Sequence, residues 1–158
     1  MERKDKHINF VGVLNGYLAI GHRPKLKVLK EFKAEGTSHI LTLLSEKEGA
    51  LDIRKASLSN GLIWEWLPLK NAKPPEEEIL PIIRESFSLC KKYLEEGAKI
   101  YIHCSAGIHR TGMITYSMLR YFGYSDEESQ ALLLEMRPLT GEGVGKDRVE
   151  WANTHFGM

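Results

Sequence analysis

The sequence predicts an α/β fold: one domain whose central, mostly parallel β-sheet is flanked by helices. Three observations support this prediction. The chain has 158 residues, about the size of one domain, and its hydrophobic fraction (42%) and charged fraction (27%) are those of an ordinary globular protein. Short strand-like apolar runs alternate along it with amphipathic helical patterns. Such folds bind ligands at the carboxyl ends of the parallel strands, and we expect residues 1–158 to form a single domain of this kind.

The amino-terminal segment is predicted to begin with a β-hairpin. Two apolar stretches, Ile8 to Val13 and Tyr17 to Ile20, flank Asn15-Gly16, a pair of residues typical of two-residue hairpin turns. A short amphipathic helix then begins near Pro24, with Leu26, Leu29 and Phe32 at helical spacing. Gly36 is suited to cap its carboxyl terminus.

Two strands are predicted next: a buried strand at His39 to Leu44 and another strand at Leu62 to Leu67. Trp64 and Trp66 alternate along the second strand and therefore share one face. The charged segment between the two strands has no clear periodicity, and its structure is left open. The second strand leads into a proline-bounded loop, Pro68 to Pro75.

The carboxyl-terminal half is predicted to contain one more strand and four helices. Gly97 and Gly123 are suited to end two of the helices, and Ser125 with Glu128 forms a capping box that begins a third. In chain order, the predicted elements are a helix from Glu76 to Glu96, a strand from Lys99 to His103, a helix from Arg110 to Phe122, a helix from Ser125 that stops before Pro138, and a helix from Lys146 to His155.

Composition excludes several functional classes. The formal net charge is only +1, so no global excess attracts nucleic acid or an acidic surface. Apolar runs such as Ala131 to Leu134 are far shorter than the ~20 residues of a membrane span, and Met1 to Lys6 is not followed by the apolar core of a secretory signal. The two cysteines are too few for a disulfide-stapled secreted domain, and Cys90 is expected to be an ordinary core residue. We expect a cytoplasmic monomer with reduced thiols.

The segment between the last predicted strand and its following helix has the character of an anion site. Free backbone N–H groups at a helix amino terminus, together with the helix dipole, favour a bound oxyanion. Gly107 allows a tight loop, and Arg110 can grip two oxygens of one anion, which lysine cannot do. The residues expected to bind phosphate are Ser105, Ala106, Gly107, Ile108, His109 and Arg110.

Cys104 lies at the floor of this predicted anion site. Inward-facing amides, a helix amino terminus and an arginine all favour the thiolate form, which can attack phosphorus covalently. Thr111 is placed to hydrogen-bond the sulfur and so to make it a better leaving group. His103 is expected to orient the loop from the strand side.

The run His103-Cys104-Ser105-Ala106-Gly107-Ile108-His109-Arg110-Thr111-Gly112 resembles the signature of the cysteine-dependent protein tyrosine phosphatase superfamily. His109 stands where the tyrosine-specific members have glycine, and the short chain resembles dual-specificity phosphatases. The resemblance extends over roughly Leu62 to Pro138. The resemblance implies the α/β fold of the dual-specificity phosphatases, in which the phosphate-binding loop lies between a strand and a helix. It also implies metal-independent hydrolysis of phosphotyrosine or other phosphate monoesters through a cysteinyl-phosphate, no cofactor, and a phosphorylated protein or small phosphate as partner.

The sequence departs from this family at the general acid. Members usually have an aspartate about thirty residues before the cysteine, whereas this chain reads Pro68-Leu69-Lys70-Asn71, which puts an amide at that position. An amide can hydrogen-bond a leaving oxygen but cannot supply a proton as an acid. The expected water-positioning glutamine is also absent near Lys146 to Glu150, where Asp147 or Arg148 takes its place. Side chains considered as substitute acids are His109, Glu76, Glu77, Glu142 and Asp147.

This departure leaves alternative functions open. One is a phosphatase of a non-protein substrate, such as an inositol phosphate, a phosphoinositide, a nucleotide or an RNA end. Another is a phospho-ligand-binding protein of low turnover, which keeps the anion site but lacks the acid.

Overall fold

The computed structural model describes residues 8–157, and the prediction made for Met1 to Lys6 lies outside them. Within that range the chain forms five strands and seven α-helices. The strands are β1 (Val11–Val13), β2 (Gly16–Gly21), β3 (His39–Thr42), β4 (Ile63–Trp66) and β5 (Lys99–His103). The helices are α1 (Leu29–Ala34), α2 (Ala50–Ser59), α3 (Leu80–Glu95), α4 (His109–Tyr121), α5 (Asp126–Met136), α6 (Pro138–Gly143) and α7 (Lys146–Phe156).

The five strands form one sheet in the order β1-β2-β5-β3-β4. Four of them are parallel, and β1 runs antiparallel to β2 at one edge. His103, the last residue of β5, pairs with Gly21 of β2 and with Thr42 of β3, and Thr42 pairs in turn with Trp66 of β4. The carboxyl ends of all four parallel strands therefore meet at one edge, as the predicted α/β fold requires.

Helices cover both faces of the sheet, because alternate strand residues point to opposite sides. On one face, Phe32 of α1 and Ile53 of α2 pack with Ile40 and Tyr101 of the strands. On the other face, the core contains Phe87 of α3 together with buried residues of α4, α5 and α7. The larger core thus lies under the helix that follows Cys104.

The predicted hairpin is confirmed, but its turn is one residue earlier than predicted. Val13 pairs with Gly16, so Leu14 and Asn15 form the turn, and Leu14 adopts a positive φ of 54°. Gly16 belongs to the strand because of packing: a Cβ there would lie 2.4 Å from the carbonyl oxygen of Ala98. The glycine allows a close backbone approach here.

The predicted helices are present, with two additions. The charged segment left open by the sequence contains a short 3-10 turn (Glu46–Glu48) followed by α2, and the glycine-rich segment after Pro138 forms α6. Leu26, assigned to the apolar face of the first helix, is instead exposed in a 3-10 turn. The capping box of Ser125 and Glu128 is formed as predicted and contributes about 1 kcal/mol.

Cys90 is an ordinary core residue, as expected. Its side chain is 1% exposed, and burial, with a smaller contribution from Glu65, raises the pKa of its thiol to about 12. No helix within residues 8–157 is both long and apolar enough to cross a membrane.

Candidate functional site

The candidate site is built around residues 104–108, which connect β5 to α4 and are called the cysteine loop below. The loop leaves the sheet at the edge where the parallel strands end. Cys104 is buried at its start, and Arg110 and Thr111 lie in the first turn of α4. Ser105, Ala106 and His109 are exposed, whereas Gly107 is buried. The predicted site residues from His103 to Thr111 are therefore contiguous in space.

Every backbone carbonyl of the cysteine loop accepts a hydrogen bond. The acceptors and donors are Cys104 O with His103 Nδ1 (3.0 Å), Ser105 O with Arg23 N (2.8 Å), Ala106 O with Arg137 Nη1 (3.0 Å), Gly107 O with Arg137 Nη1 (2.9 Å) and Thr140 Oγ1 (2.5 Å), and Ile108 O with Gly112 N (2.9 Å). In contrast, the N–H groups of residues 105–108 donate no hydrogen bond within the described part of the chain. Four neighbouring amides are therefore available to one oxyanion.

Gly107 is required by both conformation and space. Its φ is +76°, in the left-handed region, and a Cβ at this position would lie 2.2 Å from the carbonyl carbon and oxygen of Gly21. Any side chain would push the cysteine loop away from the end of β2.

Cys104 and Thr111 are in direct contact. The Thr111 hydroxyl donates a hydrogen bond to Cys104 Sγ at 3.0 Å, and Thr111 is fully buried. The structure therefore brings the Thr111 hydroxyl and the Cys104 sulfur together.

Arg110 is held by three of its five N–H groups. Nη1 and Nη2 each donate to one carboxylate oxygen of Glu48 at 2.8 Å, and Nη1 also donates to the carbonyl of Leu69 at 3.0 Å. The two remaining N–H groups, on Nε and Nη2, lie on the same edge of the planar guanidinium and are spaced for two oxygens of one phosphate. The pKa of Arg110 is raised, first by its hydrogen bond to Glu48 and also by the nearby Cys104.

Sequence reasoning missed Glu48. Its hydrogen bonds from Arg110 lower the pKa of its carboxyl to about 2, against a smaller opposing effect of burial and with help from Ser45. Ser45 donates to Glu48 through both its backbone N–H (2.9 Å) and its hydroxyl (3.0 Å). A serine followed three residues later by glutamate is a capping-box pattern, so the local turn was detectable in the sequence. Its pairing with Arg110, 62 residues away, was not.

His103 is fixed as one neutral tautomer by its hydrogen-bond partners. Its Nδ1 faces the carbonyl of Cys104 and must donate, so Nε2 accepts from the Thr42 hydroxyl at 2.8 Å. Thr42 in turn accepts from Trp64 Nε1 at 2.9 Å. Burial lowers the pKa of His103 to about 4. The imidazole therefore connects the start of the cysteine loop to β3 and stays uncharged near neutral pH.

The His103 pKa predicts a stability change with pH. In the unfolded chain His103 becomes protonated below its ordinary pKa of 6.5. In the folded protein it stays neutral down to about pH 4. Stability should therefore fall as pH decreases from 6.5 to 4, with a limiting slope of about 1.4 kcal/mol per pH unit from this residue. Urea unfolding of the protein and of His103→Gln across this range measures it. Equal pH slopes in the two proteins would contradict the assignment.

Arg137 and Thr140 are further site residues without a predicted role. Both are buried, and together they bind the carbonyls of Ala106 and Gly107 from the far side of the loop. Arg137 directly follows α5, and Thr140 lies in α6, one of the two helices that the sequence did not predict. Their side chains occupy the carbonyls of the loop, so the loop amides are left as its available hydrogen-bonding groups.

The Asn71 loop, residues 68–75, is linked by Arg110 to the first turn of α4, directly after the cysteine loop. Leu69 is bound through its carbonyl by Arg110 and through its N–H by the carbonyl of Leu43 at 3.0 Å. Asn71 is exposed, and its Oδ1 accepts the N–H of Lys73 at 2.9 Å, so its NH₂ group is what it can offer to a ligand. The substitute acids are all exposed, and within residues 8–157 none of them hydrogen-bonds the cysteine loop: His109, Glu76, Glu77, Glu142 and Asp147.

Comparison with known families matches residues 19–124 to Tc-R-P, described as "Polymorphic toxin system, DSP-PTPase phosphatase". Comparison with curated proteins finds no match.

Solved structures of phosphatases share the fold. Kinase associated phosphatase, with its catalytic cysteine substituted by serine, superposes with a TM-score of 0.73 at 18% identity over 92% of this chain and 91% of its own. PTPMT1 in complex with PI(5)P has a TM-score of 0.69 at 18% identity over 88% and 89% of the two chains. TpbA of P. aeruginosa in complex with pTyr has a TM-score of 0.56 at 18% identity over 92% and 86%.

Proposed function

Because this chain belongs to the family of DSP-PTPase phosphatases, we propose that it hydrolyses phosphate monoesters without a metal, through a phosphorylated Cys104. The observation that carries this proposal is the carbonyl pattern of the cysteine loop. All five carbonyls are bound from outside, so four amides and the open edge of Arg110 are left for one phosphate beside the Cys104 sulfur.

In the first step, the Cys104 thiolate attacks phosphorus. The S–P bond forms as the bond between phosphorus and the leaving oxygen breaks, and that oxygen departs with the bonding electrons. The loop amides and Arg110 stabilise the charge on the three remaining phosphoryl oxygens. These donors are already in place, because Glu48, Arg137 and Thr140 fix them in the free protein.

In the second step, water attacks the phosphorus of the cysteinyl-phosphate. The S–P bond breaks, its electrons return to sulfur, inorganic phosphate is released, and the proton lost by the water passes to solvent. The Thr111 hydroxyl at 3.0 Å from Sγ stabilises the departing thiolate.

Aryl phosphates are the substrate class that this site favours. Asn71 can donate a hydrogen bond to the leaving oxygen but cannot protonate it, so a leaving group that is stable as an anion reacts fastest. The phenol of phosphotyrosine has a pKa near 10, far below that of an alkyl alcohol. We therefore place phosphotyrosine ahead of the non-protein phosphates. TpbA, solved with pTyr, and PTPMT1, solved with PI(5)P, provide one fold relative for each class.

Replacing Asn71 with aspartate should restore an acid. The Lys73 N–H would still bond one carboxyl oxygen, and the other would be free to carry a proton. We expect kcat for phenyl phosphate near pH 5 to rise about 10²-fold, the low end of general-acid contributions, and kcat for p-nitrophenyl phosphate to rise less. Asn71→Ala is the matched control. Equal rates for the aspartate and alanine variants would show that position 71 does not reach the leaving group.

A second candidate function is binding of a phosphorylated ligand without turnover, and the amide at position 71 is the observation that favours it. Phosphate release from p-nitrophenyl phosphate in the presence of a chelator distinguishes the two. Turnover supports the enzyme. Saturable binding of inorganic phosphate or tungstate without turnover supports the binding protein.

A further inference from the structure

Arg148 connects the Asn71 loop to the segment between α6 and α7. It lies in the first turn of α7, and its Nε donates to the carbonyl of Ala72 at 2.6 Å. Its Nη1 donates to the carbonyl of Val144 at 2.9 Å, in the segment that precedes α7. One guanidinium therefore joins two chain segments that are 72 residues apart.

The guanidinium of Arg148 packs closely against the chain that precedes α7. Gly145 has a φ of +95°, and a Cβ there would lie 2.6 Å from Arg148 Nη1. Val144 is buried against α4, close enough that a Cβ on Gly112 would lie 2.7 Å from its Cγ2. Arg148 is thus anchored to a segment packed on the helix that carries Arg110 and Thr111.

Two arginines hold the Asn71 loop on either side of Asn71. Arg110 binds the carbonyl of Leu69, two residues before it, and Arg148 binds the carbonyl of Ala72, one residue after it. The first anchor belongs to the phosphate-binding arginine. The second anchor, Arg148, makes no hydrogen bond to the cysteine loop within the described part of the chain. Its hold on the Asn71 loop therefore does not depend on bound phosphate.

We propose that Arg148 is a positioning residue that keeps the Asn71 loop beside the cysteine loop, so that the Asn71 amide meets the leaving oxygen without a prior loop movement. The inference rests on the proposed function and extends it. Its physical basis is that ordering a loop before the reaction removes that entropic cost from the barrier. Arg148 acts through Asn71 and does not touch the substrate.

Arg148→Met tests this inference through kinetics. We expect kcat for phenyl phosphate to fall about 10-fold with a small change in KM, and kcat for p-nitrophenyl phosphate to fall less, because a better leaving group depends less on Asn71. Arg148→Lys, which keeps one donor, should recover part of the loss. Lys146→Met on the same helix turn is the control, because Lys146 is exposed and its one ion pair within residues 8–157 is with Glu150 at 3.9 Å.

A double-mutant cycle separates positioning from a general structural role. If Arg148 acts through Asn71, Arg148→Met has little further effect on kcat in an Asn71→Ala background. Multiplicative losses in the double variant would overturn the inference.

Hydrogen exchange gives a readout that does not require turnover. The Lys73 amide, bonded to Asn71 Oδ1, should exchange about 10-fold faster in Arg148→Met, whereas core amides of β5 should not change. If exchange is faster in Arg148→Met but the protein has no phosphatase activity, Arg148 does hold the Asn71 loop and the proposed function is refuted. If the wild type is active, exchange is unchanged in Arg148→Met and the losses in the double variant are multiplicative, only the positioning role of Arg148 is refuted.

Discussion

Cys104→Ser is expected to lower kcat for p-nitrophenyl phosphate by roughly 10⁴-fold or more, because a serine hydroxyl in this site stays protonated at neutral pH and is a poor nucleophile. The variant should still bind inorganic phosphate with an affinity close to that of the wild type. The phosphate-binding groups are backbone amides and Arg110, and serine is slightly smaller than the buried cysteine it replaces.

Cys90→Ala is the matched control for Cys104→Ser. Cys90 is the only other cysteine, and its side chain lies in the core on α3. Turnover per folded molecule should be unchanged in Cys90→Ala. Wild-type turnover by Cys104→Ser would contradict the assignment of the nucleophile, and loss of phosphate binding would contradict the view that the amides and Arg110 form the anion site.

Arg110→Lys is expected to lower kcat/KM by about 10²- to 10³-fold and, unlike Cys104→Ser, to weaken phosphate binding as well. A lysine cannot bind both oxygens of Glu48, the carbonyl of Leu69 and a phosphate at the same time. The loss therefore has two parts: weaker stabilisation of the phosphoryl oxygens and a less constrained Asn71 loop.

Arg84→Lys provides the control for Arg110→Lys. Arg84 is exposed on α3 and donates to the carbonyl of His155 at 2.9 Å, so it tests the loss of an arginine–carbonyl hydrogen bond outside the site. We expect its kcat/KM to match the wild type. An Arg110→Lys variant with near-normal phosphate affinity and normal Tm would contradict the role assigned to the open guanidinium edge.

The fold and the centre of the site were predictable because their signals are local. The strand Lys99–His103 is a compact apolar run, α5 begins at a capping box, and α3 has apolar residues on one helical face. The cysteine, the glycine and the arginine of the site lie within seven residues of each other. A contiguous segment of this kind needs no tertiary information to be recognised.

The residues that hold the site in place were not predictable, because they come from distant parts of the chain. Glu48 lies in a charged segment without clear periodicity, and only the fold brings it to Arg110. Arg137 and Thr140 flank a proline that reads as the end of a helix, yet Pro138 also begins α6, since proline is well tolerated in a first turn. The position of the turn at Leu14 was likewise decided by packing, through the close approach of Gly16 to Ala98.

The central claim is that Cys104 carries the phosphoryl group between the two chemical steps. It is tested most directly by quenching the wild-type protein in acid during turnover of p-nitrophenyl phosphate and determining the mass of the peptide that contains Cys104. We predict one added phosphoryl group on Cys104, absent from Cys104→Ser and from wild-type protein quenched before substrate is added. Sustained turnover, with rapid-quench samples that never contain phosphorylated Cys104 and a Cys104→Ser variant that remains active, would contradict the account.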